Sequence, residues 1–197
     1  MNHNILIYCF SIGLFLTACG HDYTPKPSGY FQPDLPEHVY EKYDNPVCPC
    51  TFEIPVYSVV EQEKHFFDEQ PEHPCWLNLN FKGFNAILFL SYRNIKSRAD
   101  FEKVIADTYK MTFKHSQKAD FIDEELIENP QNNTFGYQFD VGGDAASSTQ
   151  FFLTDSLNHY IRGALYFNSA PNIDSVLPAL TFLKKDIEHL IYSLQWK

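Results

Sequence analysis

Hydrophobic and polar positions divide the chain into three unequal stretches. An unbroken apolar run from Ile5 to Leu16 opens it, a proline-studded stretch without apolar periodicity follows to residue 47, and periodic segments fill residues 48–197. Phe52-Glu53-Ile54-Pro55-Val56-Tyr57 reads as a strand, with Pro55 pointing to a sheet edge because proline cannot donate to a ladder. Glu61 to Pro74 is charged and polar and reads as a loop. Trp76–Phe81 and Ala86–Tyr92 form a strand pair around a tight turn near Lys82-Gly83. Ser97 opens a helix in capping-box fashion, with the acid of Asp100 three residues on. Phe101, Val104, Ile105, Thr108 and Thr112 then fall at helical spacing, and the helix ends near Lys118. Strands follow at Phe121–Ile127, Thr134–Val141, Thr149–Thr154 and His159–Phe167, divided by turn signals at Asn129–Asn133, Gly142–Asp144 and Asp155–Asn158. Asp174 to Leu194 is a last helix, striped by Val176, Leu180, Leu183, Ile187, Leu190 and Leu194, with Pro178 in its first turn.

Strand, hairpin, helix, antiparallel meander and helix is the order of an α+β fold: a mostly antiparallel sheet with two main helices. That order resembles the Mog1/PsbP-like architecture, a likeness of fold that carries no function by itself. The domain reading is a cleaved signal at 1–18, an acylated cysteine and tether at 19–47, and one globular domain at 48–197.

The opening run is about a dozen residues, the length of a signal-peptide core and well short of the roughly 20 that span a bilayer. It closes on Leu16-Thr17-Ala18-Cys19. Small residues before a cysteine at this place resemble a bacterial lipobox, where signal peptidase II cuts before the cysteine and the thiol carries a diacylglycerol. Cys19 then anchors the chain through palmitate-type chains, two or three of which hold a membrane firmly where one does not. Met1-Asn2-His3-Asn4 has no Lys or Arg, a departure from the usual signal. An ordinary cleavable signal with an accidental Ala18-Cys19 is the competing reading. Gly20 stands where an aspartate retains enterobacterial lipoproteins at the inner membrane, so the expectation is the outer membrane, facing the periplasm.

A mature chain of about 180 residues suffices for one domain and a tether. The removed segment has no Asp, Glu, Lys or Arg, so the formal charge of −10 belongs to the mature part. Such a surface argues against nucleic acid and against electrostatic docking on anionic lipid headgroups. The 18 Phe and 12 Tyr suit strands and a filled core. Pro25, Pro27, Pro33, Pro36 and Pro46 favour an extended, semi-rigid tether. Its Tyr23, Tyr30, Phe31 and Tyr40 supply rings to pack back on the domain or to meet a partner.

With Cys9 removed and Cys19 acylated, Cys48, Cys50 and Cys75 remain in an oxidising compartment. Cys48 and Cys50 flank Pro49 and are poorly placed to bridge each other. The expected disulfide is Cys48–Cys75, with Cys50–Cys75 as competitor, and either stabilises by about 3–4 kcal/mol through loop entropy. Zinc on these cysteines and His73 is the other reading, although the spacing is not a usual zinc pattern.

No nucleophile elbow, zinc helix, phosphate loop or dinucleotide fingerprint is present, so no cofactor or metal is expected. Ser147 and Ser148 with Asp155 and His159 contain the residue types of a hydrolytic triad, but within one hairpin turn capping explains them better. Asp123, Glu124, Glu125 and Glu128 offer calcium chemistry without an EF-hand register, and a solvated strand edge is the plainer reading. His115, His159 and His189 are scattered, and Trp76 and Trp196 read as core or core-rim. Arg162 lies in an apolar strand, where its charge must face solvent or find a partner, and an intramolecular ion pair is expected ahead of a binding role.

These segments form a recognisable set. They are Asp22-Tyr23-Thr24-Pro25-Lys26-Pro27 with Gly29-Tyr30-Phe31; Cys48-Pro49 with Phe52-Glu53 and Pro55; Cys75-Trp76-Leu77-Asn78-Leu79; and Leu90-Ser91-Tyr92. The most specific are Gln150-Phe151-Phe152-Leu153-Thr154-Asp155-Ser156, Arg162-Gly163-Ala164-Leu165-Tyr166-Phe167-Asn168 and Trp196-Lys197. Over nearly its whole length the chain resembles the gliding-motility lipoprotein GldD family of Bacteroidetes. The resemblance supports the Cys48–Cys75 pair and leaves Cys50, where the family usually has an aromatic residue, as an odd thiol. It implies a non-enzymatic, membrane-anchored accessory or scaffolding component of gliding and type IX secretion, partnered by other parts of that machinery. The alternative is a periplasmic ligand-binding or hydrolytic domain with a pocket around Arg162, Asp155 and His159.

The anchor is directly testable. Cells given a clickable fatty acid should label the wild-type chain, whereas Cys19→Ser should take up no label and move to the soluble fraction. A labelled Cys19→Ser chain refutes the acylation site.

Overall fold

The computed structural model describes residues 35–64, 71–114, 119–168 and 173–197. The signal, Cys19, the tether to residue 34, His115 and the expected helix end near Lys118 lie outside them. In chain order the elements are β1 (Tyr40–Tyr43), β2 (Cys50–Pro55), β3 (Val59–Gln62), β4 (Trp76–Phe81) and β5 (Ala86–Asn94), then helix α1 (Arg98–Phe113). After these come β6 (Ile122–Asn129), β7 (Thr134–Val141), β8 (Ser147–Thr154), β9 (His159–Phe167), helix α2 (Ile173–Ser193) and β10 (Gln195–Trp196). Two helices over antiparallel sheets make this an α+β fold.

Alternation sets the faces. Leu77, Leu79 and Phe81 of β4 and Ala86, Leu88, Leu90 and Tyr92 of β5 are buried, while the residues between them are more exposed. The two strands pair antiparallel through a single 3₁₀ turn at Lys82–Phe84. Asn85, not Gly83, takes the left-handed conformation that closes the turn, a backbone state asparagine tolerates. β9 pairs with β5 over nine residue pairs, from Ala86↔Phe167 to Asn94↔His159. β8, β7 and β6 extend the ladder on that side and β3 on the other, giving the order β3-β4-β5-β9-β8-β7-β6. Gly163 of β9 leaves room for the Phe151 ring, and a Cβ there would collide with it.

Each face has its own helix. Leu180, Leu183, Ile187, Leu190, Ile191 and Leu194 bury the α2 stripe against Leu77, Leu79, Leu88, Leu90, Leu153, Ile161 and Leu165. On the other face α1 sets Val104, Phe101, Ile105 and Tyr109 against Phe139, Phe152, Tyr160, Ile122 and Tyr137. The Ser97 side chain caps α1 as expected, accepting the Asp100 N–H at 3.1 Å. Pro178 falls in the second turn of α2, because the helix already starts at Ile173.

The fold begins earlier than position 48. Residues 40–43, inside the stretch read as tether, form β1 and pair with β2. β2 is thus the central strand of a second sheet, β1-β2-β10, and Pro55 closes it without making it an edge. β3 occupies the start of the expected loop. Neither β1 nor β3 has enough apolar residues to announce a strand, and both form because a neighbour offers an open edge.

One carboxylate holds the strap formed by residues 35–47. Asp186 sits in the α2 stripe, 1% exposed. Its Oδ1 accepts from His38 Nδ1 at 2.6 Å and from the Tyr40 hydroxyl at 2.9 Å, and its Oδ2 accepts from the Tyr57 hydroxyl. Burial first, and the neighbouring carboxylate second, push both phenols well above the usual tyrosine range, so they stay neutral donors. His38 stacks on Phe182 at 4.1 Å and Tyr40 on His189 at 3.6 Å. His189 Nε2 in turn meets Glu53 at 2.6 Å. Ten residues after His38 the Cys48–Cys75 disulfide, closing 27 residues, ties the strap to the start of β4.

Asp186→Ala should leave His38, Tyr40 and Tyr57 without their acceptor and lower stability by about 2–4 kcal/mol. Urea unfolding followed by tryptophan fluorescence measures it. A loss within about 0.5 kcal/mol would show that the strap is held by other contacts.

Candidate functional site

The β8–β9 hairpin supplies all three residues singled out from sequence. Asp155 Oδ1 accepts the backbone N–H groups of Leu157, Asn158 and His159 at 3.0, 2.8 and 2.8 Å. Thr154 Oγ1 donates to the His159 carbonyl and accepts from Ser156 N–H, while Ser156 adopts the left-handed conformation. Asp155 therefore shapes the turn that delivers His159. Burial alone raises its pKa, but the three N–H bonds together outweigh burial and hold the carboxyl below its usual range.

His159 Nδ1 lies 2.7 Å from the Tyr92 hydroxyl, whose own proton goes to Asn94 Oδ1 at 2.7 Å. That arrangement assigns the imidazole proton to Nδ1. Tyr92 is fully buried, and burial pushes its hydroxyl up to about 12. The His159 ring stacks on Trp196 at 5.2 Å with 12° between planes. β10 carries Trp196, paired with Cys50 of β2. Asp155, His159 and Trp196 join Gln131, Asn132 and Lys197 around an open cleft of about 550 Å³. Asn132 Nδ2 also donates to the Leu194 carbonyl at 2.9 Å, closing the carboxyl end of α2. Lys197 Nζ pairs with Asp44 at 2.7 Å and with the Asn45 carbonyl at 2.9 Å. Among the described residues the Trp196 indole N–H has no partner.

Arg162 does not join them. Residues 159 and 162 of one strand point to opposite faces. His159 shares its face with Ile161 and the α2 core, and Arg162 shares its own with Tyr160 and Phe152 beside α1. Its Nη2 donates to Gln150 Oε1, which also accepts from Thr112 at 3.3 Å. The ion pair expected for Arg162 is not found among the described residues; a neutral amide stands in its place. Arg93, on the same face, takes the carboxylates of Asp100 at 3.1 Å and Glu72 at 3.8 Å. Apart from its place in the Gln150–Ser156 segment of the resemblance, Gln150 had no sequence signal beyond a polar residue in an apolar strand. A single pocket around Arg162, Asp155 and His159 is therefore not assembled.

Other candidates resolve in the same way. Ser147 pairs with Tyr166 at the far end of the hairpin, about 25 Å along the strands from Asp155, so no serine triad forms. The disulfide consumes Cys48 and Cys75, and His73 Nδ1 accepts the Cys75 N–H at 3.0 Å, so the zinc set is dispersed. Asp123, Glu124, Glu125 and Glu128 alternate along the outer strand β6 and point to both faces. Among the described residues no metal-binding group of three His, Cys, Asp or Glu occurs. Cys50 is a buried free thiol, pushed up to about 12 by burial.

A family model described as "Gliding motility lipoprotein GldD" matches residues 20–196. No curated protein matches the chain. Among solved structures, the chain is similar to the solution structure of cyanobacterial PsbP (CyanoP) from Synechocystis sp. PCC 6803. The two share 13% identity over 87% of this chain and 100% of that one, at a TM-score of 0.43.

Asp155 makes a pH prediction. Its depressed pKa means the stabilisation is complete above the usual carboxylate range and is lost as pH falls through the folded value. Asp155→Ala should cost about 1–3 kcal/mol at pH 7, less near pH 3. Urea midpoints at both pH values check this, and a cost that does not shrink in acid contradicts the assignment.

Proposed function

The chain belongs to the gliding motility lipoprotein GldD family, and from that premise we propose a non-enzymatic scaffolding role in the gliding and type IX secretion machinery. Membership of this family makes the chain a membrane-anchored component of a gliding system. Among the described residues no helix is long and apolar enough to cross a membrane. In our reading Cys19 carries the lipid, the anchor sits in the outer membrane facing the periplasm, and the domain works by holding other components of the apparatus.

The observation that carries this reading is the separation of Asp155, His159 and Arg162. Asp155 serves the hairpin turn, His159 is locked between Tyr92 and Trp196, and Arg162 lies on the opposite face. Nucleophilic or acid–base chemistry needs such groups within hydrogen-bond reach of one reacting atom. The domain instead offers surfaces on a scaffold built from buried strands and a stapled strap.

Deleting the gene should abolish both colony spreading and secretion of type IX cargo, and restoring the wild-type chain should return both. Normal secretion in the deletion strain removes the secretion role. Loss of function in His159→Ala at normal protein level and stability would instead favour the ligand-binding or hydrolytic alternative, centred on the Trp196 cleft.

A further inference from the structure

α1 covers only part of its sheet face. Its apolar contacts are with β6, β7, β8 and the start of β9, through Ile122, Tyr137, Phe139, Phe152 and Tyr160, and at β5 it meets the sheet through the Arg93–Asp100 ion pair. Beyond them the same face continues over β5, β4 and β3, where the register aligns Arg162 with Ser91, Ala164 with Phe89 and Asn78, and Tyr166 with Ile87 and Asn80. No described helix lies on this half. Phe89 is 38% exposed at its centre, in the middle of a nine-residue strand whose alternate residues are fully buried. Its ring meets Tyr166 edge to face at 5.6 Å, and Val59, on the β3 edge, is 41% exposed.

Polar groups on this face are incomplete too. Among the described residues, four buried polar side-chain atoms lack a hydrogen-bond partner, and two of them, Asn80 Nδ2 and Arg162 Nε, belong to this half. Arg162 has no carboxylate within ion-pair distance among the described residues, whereas Arg93, four pairs nearer one end of the same ladder than Phe89, has two. In a chain of net charge −10, a partly buried arginine left uncompensated beside exposed aromatic rings calls for an acid from elsewhere.

We propose that this half-face docks an amphipathic helix of a partner protein. Its apolar side lies on Phe89, Tyr166 and Val59, and an Asp or Glu on it pairs with Arg162. A helix fits better than a strand because β4, β5 and β9 already pair on both sides, leaving side chains and not backbone to be read. The uncovered strip is about four strands, roughly 15–19 Å, wide enough for one helix of 10–12 Å diameter beside α1. This inference rests on the scaffolding role proposed above and names the surface that performs it.

The test uses the full lipidated chain in its own cells, with a benzophenone amino acid at Val59 and mass spectrometry of the crosslinked peptide. The expected product joins Val59 to one partner segment with apolar residues at i, i+3/i+4 and i+7 and an acid on the same side. Phe89→Ser and Arg162→Glu should each cut its yield at least about tenfold, as central interface residues do. Phe89 belongs to neither core cluster, so Phe89→Ser should keep the wild-type melting temperature, separating surface from folding. Reversing the partner's acid to Arg should restore the yield with Arg162→Glu. Crosslinks to lipid, to a second copy of this chain or to another segment of the chain itself overturn the proposal. So does a yield indifferent to both substitutions. Those failures leave the scaffolding role standing if deletion still stops spreading and secretion; normal spreading and secretion in the deletion strain removes that role whatever Val59 captures.

Discussion

The register of β5 against β9 is the constraint on which the rest of the structure depends. Nine residue pairs at the middle of the seven-stranded sheet decide which side chains face α2 and which face α1. Tyr92, Leu90 and Leu88 fall opposite Ile161, Gly163 and Leu165 on the α2 side. Shifting β9 by one residue against β5 would turn Ile161 and Leu165 to the other face and bring Arg162 into the main core. The cost of burying the arginine there, and of exposing two large apolar side chains, makes the register unambiguous. The same parity that builds the core separates His159 from Arg162, and leaves Phe89 outward. Core, candidate cleft and open half-face are consequences of one alignment.

The strap shows a different kind of constraint, in which polar groups do what apolar burial does elsewhere. Residues 35–47 include few large apolar side chains, and Leu35, Val39 and Val47 are exposed. Area burial alone would hold them weakly. Asp186 supplies instead an acceptor for three donors that converge from the strap and from the β2–β3 turn. A buried carboxylate without them would be very costly, so the donors and the acid depend on each other. The disulfide then makes the attachment covalent at Cys48.

Much of this was legible in the sequence, and the boundary of legibility has a physical form. β7 and β9 begin and end where the turn signals put them, since Asn, Gly and Asp at their ends fix backbone conformations locally. Ser97 and the stripes of both helices were equally plain, because capping and 3.6-residue periodicity are local properties. β1 and β3 were not, because their strand state comes from a partner edge distant in sequence. Asp186 hid within an apolar stripe for the same reason: its donors lie more than 120 residues away. Of the candidate site, Asp155 showed as a turn residue, whereas the side on which Arg162 emerges required the strand register and its Gln150 partner required the fold.

The position of the strap bears on what the open half-face is for. Along the covalent chain, whatever pulls on the amino-terminal side reaches residues 38–43 first, then Cys48, then through the disulfide the start of β4. β4 is itself a strand of the open half-face, hydrogen-bonded on both sides within the large sheet. Load from a membrane anchor would therefore enter the same strand that borders Phe89, without first having to cross α1 or the β6–β9 meander. Antiparallel ladders resist such load through many bonds at once, where a helix-borne site would transmit it through side-chain packing alone. In the proposed scaffolding role, the membrane anchor and the partner would both bear on one set of strands. α1, confined to the other half of its face, leaves those strands free to be used.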